Sequence, residues 1–171
     1  MGNCCITSSV KDKYTESEIK DIDTFHSHFT KELCGYISSV YDGDTCTAII
    51  IVDNKPVKIN IRMNGYDCAE MKPSKQNKDR DHEIKFAKIA KEKLSELVLH
   101  KRVKIKSSGL DKYGRLLAIL YTNDIIVNEY MLENHYGYTY SGEKKPRIEY
   151  HDDYYVLNDE KITIREHVLS V

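Results

Sequence analysis

Three short stretches of this 171-residue chain combine acidic and basic side chains in a way that core packing does not require. The first is Asp42-Gly43-Asp44-Thr45, which by itself reads as a hairpin turn, because Asp-Gly pairs are common there. The second is Arg62-Met63-Asn64-Gly65-Tyr66-Asp67-Cys68-Ala69-Glu70, in which an arginine ends a strand and carboxylates follow five and eight residues later. The third is Asp111-Lys112-Tyr113-Gly114-Arg115. A glycine at the fourth position of a turn explains part of it, but not the arginine that enters the next strand. Cutting a phosphodiester calls for a cation facing the developing charge, hard oxygen ligands for a metal, and a base for water. The second stretch alone could supply one of each.

The elements around these stretches are expected to hold them at strand ends. Segments 33–41, 45–52 and 57–63 are rich in β-branched and aromatic residues and are separated by turn chemistry at 42–44 and 53–56, which predicts a three-stranded meander. Residues 71–82, with Pro73, Ser74, Asn77 and several lysines, read as an exposed basic loop. A helix of about 17 residues follows from 83 to 99, with Asp81 as its cap. Its Phe86, Ala87, Ala90, Leu94, Leu97 and Val98 recur at helical spacing and should face a core. Two more strands at 103–107 and 116–121 and a short helix at 128–134 complete a mainly β, α+β pattern. Three strands, a helix and two strands is the order of an OB-type five-stranded β-barrel, whose open face commonly receives nucleic acid. The organisation expected is an N-terminal extension over 1–30 with a candidate helix at 15–30, the barrel over 31–145, and a tail over 146–171.

Taken in order on this strand pattern, the three stretches resemble the thermonuclease family, the staphylococcal nuclease-like enzymes. The resemblance covers roughly residues 33–145 and implies a calcium-dependent hydrolysis of DNA or RNA that leaves a 3′-phosphate and a 5′-hydroxyl. It implies that Asp44, Asp67 and the main-chain carbonyl of Cys68 bind Ca²⁺, which accepts mixed oxygen ligands in loose geometry. Glu70 matches the general base, and Arg62 and Arg115 match the pair that grips the phosphate, where a planar fork suits two oxygens at once. Lys112 and Tyr113 align with residues on the terminal phosphate of a bound nucleotide, and Tyr138 and Tyr140 with its pocket tyrosines. Cys68 and Ala69 stand where the best-known members carry Thr and Pro. The tail departs further: a long Lys- and Glu-rich helix is usual there, whereas Tyr154–Ile164 reads as a hairpin or an irregular segment.

Composition narrows the alternatives. The net charge is only −1, yet residues 55–106 carry 15 basic against 7 acidic side chains, so a positive segment is available to a polyanion. Cysteines at 4, 5, 34, 46 and 68 form no CxxC pair, which argues against a disulfide framework or a zinc site and for an intracellular, reducing location rather than secretion. Met1-Gly2-Asn3-Cys4-Cys5 begins like a myristoylation signal with palmitoylatable cysteines beside it, although Ile6 replaces the expected Ser or Thr. On that reading Gly2, Cys4 and Cys5 attach the chain to a membrane, since one myristoyl chain binds only marginally and a second acyl group is needed. The chain is expected to act as a monomer on DNA or RNA. The competing reading is a barrel that binds nucleic acid or protein without cutting.

Overall fold

The computed structural model describes residues 32–123 and 125–165. Gly2, Cys4, Cys5 and the candidate helix at 15–30 lie outside the described residues. Strands β1 (Glu32–Asp42), β2 (Thr45–Val52) and β3 (Lys55–Met63) form the antiparallel meander. The β2–β3 connection is tight because Asp53 and Asn54 both take positive φ, 48° and 60°, which short polar side chains tolerate. After β4 (Tyr66–Asp67) comes helix α1 (Arg80–Val98), then β5 (Arg102–Leu110) and β6 (Leu116–Thr122).

Strand β5 returns to pair with β1, and β6 pairs with β5 on one side and runs parallel to β3 on the other. That last pairing, Ile61↔Leu116, Arg62↔Leu117 and Met63↔Ala118, closes the ring β3-β2-β1-β5-β6. The protein is thus an OB-type five-stranded barrel with helices. Closure removes the sheet edges, and strict alternation fills the interior: Cys46, Ala48 and Ile50 on β2 and Leu116, Ala118 and Leu120 on β6 point inward.

Helix α1 starts three residues earlier than periodicity predicts, and Asp81 lies in its first turn rather than at its cap. The N-cap is Asp79, whose side chain makes no capping bond. The entry is shaped by Asn77, whose Oδ1 accepts from the Asp79 N–H, an Asx turn that competes locally with helix. The predicted apolar face is buried, together with Glu83. Ala90, Leu94, Leu97 and Val98 join the barrel core, while Phe86 and Ala87 reach a second cluster.

Beyond β6 the chain adds β7 (Ile125–Ile126), helix α2 (Val127–Glu133) and β8 (Tyr138–Thr139), which pairs with β4. Buried Asn128 on α2 ties this region to the barrel: its Oδ1 accepts from Leu120 N–H, and its Nδ2 donates to the carbonyls of Asn64 and Ala118. The C-terminal segment is a three-stranded sheet, β9 (Ile148–Tyr150), β10 (Tyr155–Leu157) and β11 (Glu160–Ile162). Asn158 and Asp159 supply the positive φ of its last turn. Tyr150 and Tyr155 pack on Phe86 of α1 with ring centroids 5.6 and 5.7 Å away, which joins the C-terminal sheet to the helix.

Candidate functional site

Barrel closure decides where the first two motifs meet. Thr45 lies opposite Arg62 in the β2–β3 ladder, so the turn carrying Asp44 comes to rest beside the arginine that ends β3. Gly43 makes the turn fit: a Cβ there would stand 2.6 Å from Ala90 Cβ and 2.9 Å from Cys68 Sγ, so only glycine lets the loop lie flush on α1. The Asp44 carbonyl accepts from Met63 N–H at 2.8 Å, and the Tyr66 hydroxyl donates to the Gly43 carbonyl at 2.7 Å.

Arg62 is the hub. Its Nη1 lies 2.9 Å from Asp44 Oδ2 and its Nη2 lies 2.7 Å from Asp67 Oδ1, and Nη1 also donates to the carbonyls of Met63 and Tyr66. All three charged side chains are nearly excluded from water. Asp67 is placed by β4, paired with β8, where the absence of a side chain at Gly137 lets the chain pass close to the Asp67 carbonyl and the Tyr66 ring.

The electrostatics of the two carboxylates are unequal. Burial pushes Asp44 well above the usual carboxylate range, further than the Arg62 charge pulls it down. Burial acts on Asp67 in the same direction, but hydrogen bonds from Lys145 and Tyr138 help to outweigh it and hold Asp67 below its ordinary value. The two desolvated acids share one guanidinium, and the Lys145 ammonium, 2.8 Å from Asp67 Oδ2, is a second cation against them.

Among the described residues no three Asp, Glu, His or Cys side chains come together as a ready-made cation cage. Two convergent carboxylates, with the balance supplied by carbonyl and water oxygens, nonetheless suit a hard cation such as calcium. Cys68 does not add a thiolate. Its side chain is buried against the Gly43 turn with its thiol raised by burial, and Sγ contacts the Ala69 carbonyl at 3.5 Å, so an oxygen from this residue can only be the main-chain one.

The third motif forms the opposite wall. Asp111 accepts from the main-chain N–H of Tyr113 and Arg115 and from Arg115 Nε at 2.7 Å, which fixes the guanidinium at the start of β6. Those hydrogen bonds outweigh burial and lower the Asp111 carboxyl. A cleft of about 390 Å³ lies between Arg62 and Arg115 and is bordered by Lys112, Tyr113 and Tyr140. Tyr113 is 71% exposed, with the Lys112 ammonium 5.0 Å and the Arg115 guanidinium 5.5 Å from its ring centroid, an open aromatic platform flanked by cations.

The profile of the family described as staphylococcal nuclease homologue matches residues 60–161, more than half of the chain. The chain belongs to the staphylococcal nuclease family. Two curated relatives from Oryza sativa subsp. japonica are similar to it: the probable staphylococcal-like nuclease CAN2, 30% identical over 92 residues, and CAN3, 29% identical over 92 residues. Each alignment takes in 53% of this chain and 22% of the relative, so the chain corresponds to a minor part of those proteins. The family match contains the Arg62–Glu70 and Asp111–Arg115 stretches; the Asp42–Thr45 turn precedes it.

Within this family frame the structure separates residues that the sequence grouped. Tyr140 borders the cleft, but Tyr138 turns inward and donates to Asp67 Oδ2 at 2.8 Å, so it supports the acid rather than lining the cleft. Glu70 is not among the residues that border the cleft; it is about half exposed, with its carboxylate 2.7 Å from Lys145 Nζ. Two participants escaped the sequence reading. Lys145 lies in a charged loop with nothing local to mark it. Glu83 looked like an ordinary first-turn acid, yet it is buried, with Oε1 accepting from Glu70 N–H at 3.2 Å and Oε2 from Asn77 Nδ2 at 2.6 Å. Its place on the same helical face as Phe86, Ala87 and Ala90 was the available signal.

Proposed function

We propose that this chain is a calcium-dependent nuclease that hydrolyses phosphodiester bonds of DNA or RNA and leaves 3′-phosphate and 5′-hydroxyl ends. The observation that carries the reading is the placement of Arg62 between Asp44 and Asp67 at one wall of a cleft whose other wall is Arg115. Calcium bound by Asp44, Asp67 and the Cys68 carbonyl would supply Lewis-acid stabilisation of a phosphate oxygen. Arg62 and Arg115, both held by carboxylates at the cleft, would stabilise the phosphate most as charge spreads over the equatorial oxygens of five-coordinate phosphorus. Glu70, half exposed and so reached by water, takes the proton of the attacking water. The 5′-oxygen then leaves. Lys112, Tyr113 and Tyr140 orient the nucleotide beyond the scissile bond, with stacking on Tyr113 indifferent to base identity. Where Met1 is the initiator residue, acylation at Gly2, Cys4 and Cys5 would tether the enzyme to an intracellular membrane surface.

The test is to incubate the purified protein with single-stranded DNA, duplex DNA and RNA, with calcium or a chelator, and to map the ends. Cutting that needs calcium is expected, with Arg62→Ala lowering turnover by about 10²–10³ while substrate binding changes far less. Glu70→Gln is expected to act in the same way. No calcium-dependent cutting on any of the substrates refutes the reading, and retained binding without cutting would leave a recognition module.

A further inference from the structure

Three donors meet the Asp67 carboxylate, two of them on one oxygen. Its Oδ1 accepts from Arg62, and its Oδ2 accepts from Tyr138 at 2.8 Å and from Lys145 at 2.8 Å. Oδ1 keeps a lone pair for a cation, but an ammonium 2.8 Å from Oδ2 opposes any cation that Asp67 binds, and a cation that also takes Oδ2 needs one of its two donors to yield. The two donors are not equally free to move. Tyr138 is buried and sits in β8, where it pairs with Asp67 itself across the β4–β8 ladder. Lys145 belongs to the irregular segment between β8 and β9, its side chain is 48% exposed, and a four-carbon stem carries its ammonium. Nearby Arg147 turns outward to Glu149, whereas Lys145, exposed like Lys144, reaches the Asp67 and Glu70 carboxylates.

The same ammonium lies 2.7 Å from Glu70 Oε1. It therefore clamps the Glu70 carboxylate to the carboxylate that would hold the metal. We propose that Lys145 is a built-in competitor of the divalent cation, a latch that bridges Asp67 and Glu70 when calcium is scarce and is displaced when calcium binds. One displacement would then open the Oδ2 site of Asp67 and free the Glu70 oxygen to meet a water, so the base becomes available only as the site fills. The inference rests on the reading of Asp44 and Asp67 as cation ligands.

Calcium titration by calorimetry on the full chain tests it. Lys145→Met is expected to bind calcium about two- to fivefold more tightly than the unaltered protein, the range expected from removing a half-exposed competing ammonium. Lys145→Arg, which keeps the charge, should stay near the parent, and Asp67→Asn should lose binding. A second readout needs no variant: acetylation of lysines followed by peptide mass spectrometry, in which calcium should raise labelling of Lys145 relative to Lys144. Unchanged or weaker calcium binding in Lys145→Met, with Asp67→Asn still deficient, overturns the latch and leaves the metal site standing. Calcium binding that survives Asp67→Asn overturns the metal reading itself. Should Lys145→Met fail to fold, labelling of Lys145 that calcium lowers or leaves unchanged overturns the latch.

Discussion

The Tyr138 hydroxyl donates to Asp67 Oδ2 at 2.8 Å, across 71 residues of sequence, and so fixes the acid that Arg62 holds from the other side. Tyr138→Phe keeps the ring and removes only this bond. A hydrogen bond to a charged group is worth about 1.5–3 kcal/mol, and a loss of that order is expected in chemical denaturation. Asp67 has a lowered native pKa, so its contribution is present above the ordinary carboxylate value and fades as pH falls through the lowered one. Removing a cause of the lowering should move the acid-unfolding midpoint to higher pH, which circular dichroism can follow.

Asp44 has the opposite sign. Its native pKa is raised by burial, so the unfolded chain loses this proton first as pH rises, and the native state carries a penalty above the ordinary carboxylate range. Asp44→Asn should therefore raise the melting temperature of the calcium-free protein at pH 7, by on the order of 2–4 °C, with the gain vanishing near pH 3. The same variant should lose the stabilisation that calcium confers on the parent. A lower melting temperature at neutral pH would mean that the Arg62 pair outweighs burial.

Glu83 links helix α1 to Glu70. Burial raises its carboxyl, while the Glu70 N–H and the Asn77 amide pull it back down. Glu83→Ala leaves the Glu70 N–H without this acceptor and frees Asn77 from the loop, at about 1–3 kcal/mol of stability. Turnover should fall more than substrate affinity, because the residue acts through the position of Glu70. Glu83→Gln, which keeps one acceptor, should recover part of both.

Gly43 is a steric prediction. An alanine would bring a methyl group within 2.6 Å of Ala90 Cβ and 2.9 Å of Cys68 Sγ, neither of which is a flexible tip that can swing away. Overpacking of this kind costs about 1–3 kcal/mol. Because the displaced turn carries Asp44, calcium affinity should drop together with stability. Urea unfolding and calcium titration of Gly43→Ala would show the two effects.

Local rules reached far into this molecule. Runs of β-branched and aromatic residues located the barrel strands, helical spacing located six of the buried residues of α1, and Asp-Gly and Asp-Asn pairs located turns. Those signals are legible because strand pleat, helical pitch and positive φ are properties of neighbouring residues. The three charged motifs could be read for the same reason, each being continuous in sequence.

Tertiary structure alone decided how the motifs relate. The parallel β3–β6 pairing places Arg62 two ladder positions from Arg115, and no local pattern announces a parallel closure. The inward turn of Tyr138, the burial of Glu83 and the reach of Lys145 to Glu70, 75 residues away, are equally non-local. A tyrosine, a glutamate and a lysine look the same in sequence whether water or another side chain meets their polar ends. Sequence by itself determined the barrel and the charges of its three motifs, but not Lys145 or Glu83. The folded chain determined which of those charges are desolvated and paired, because desolvation depends on what packs above a group and not on what precedes or follows it.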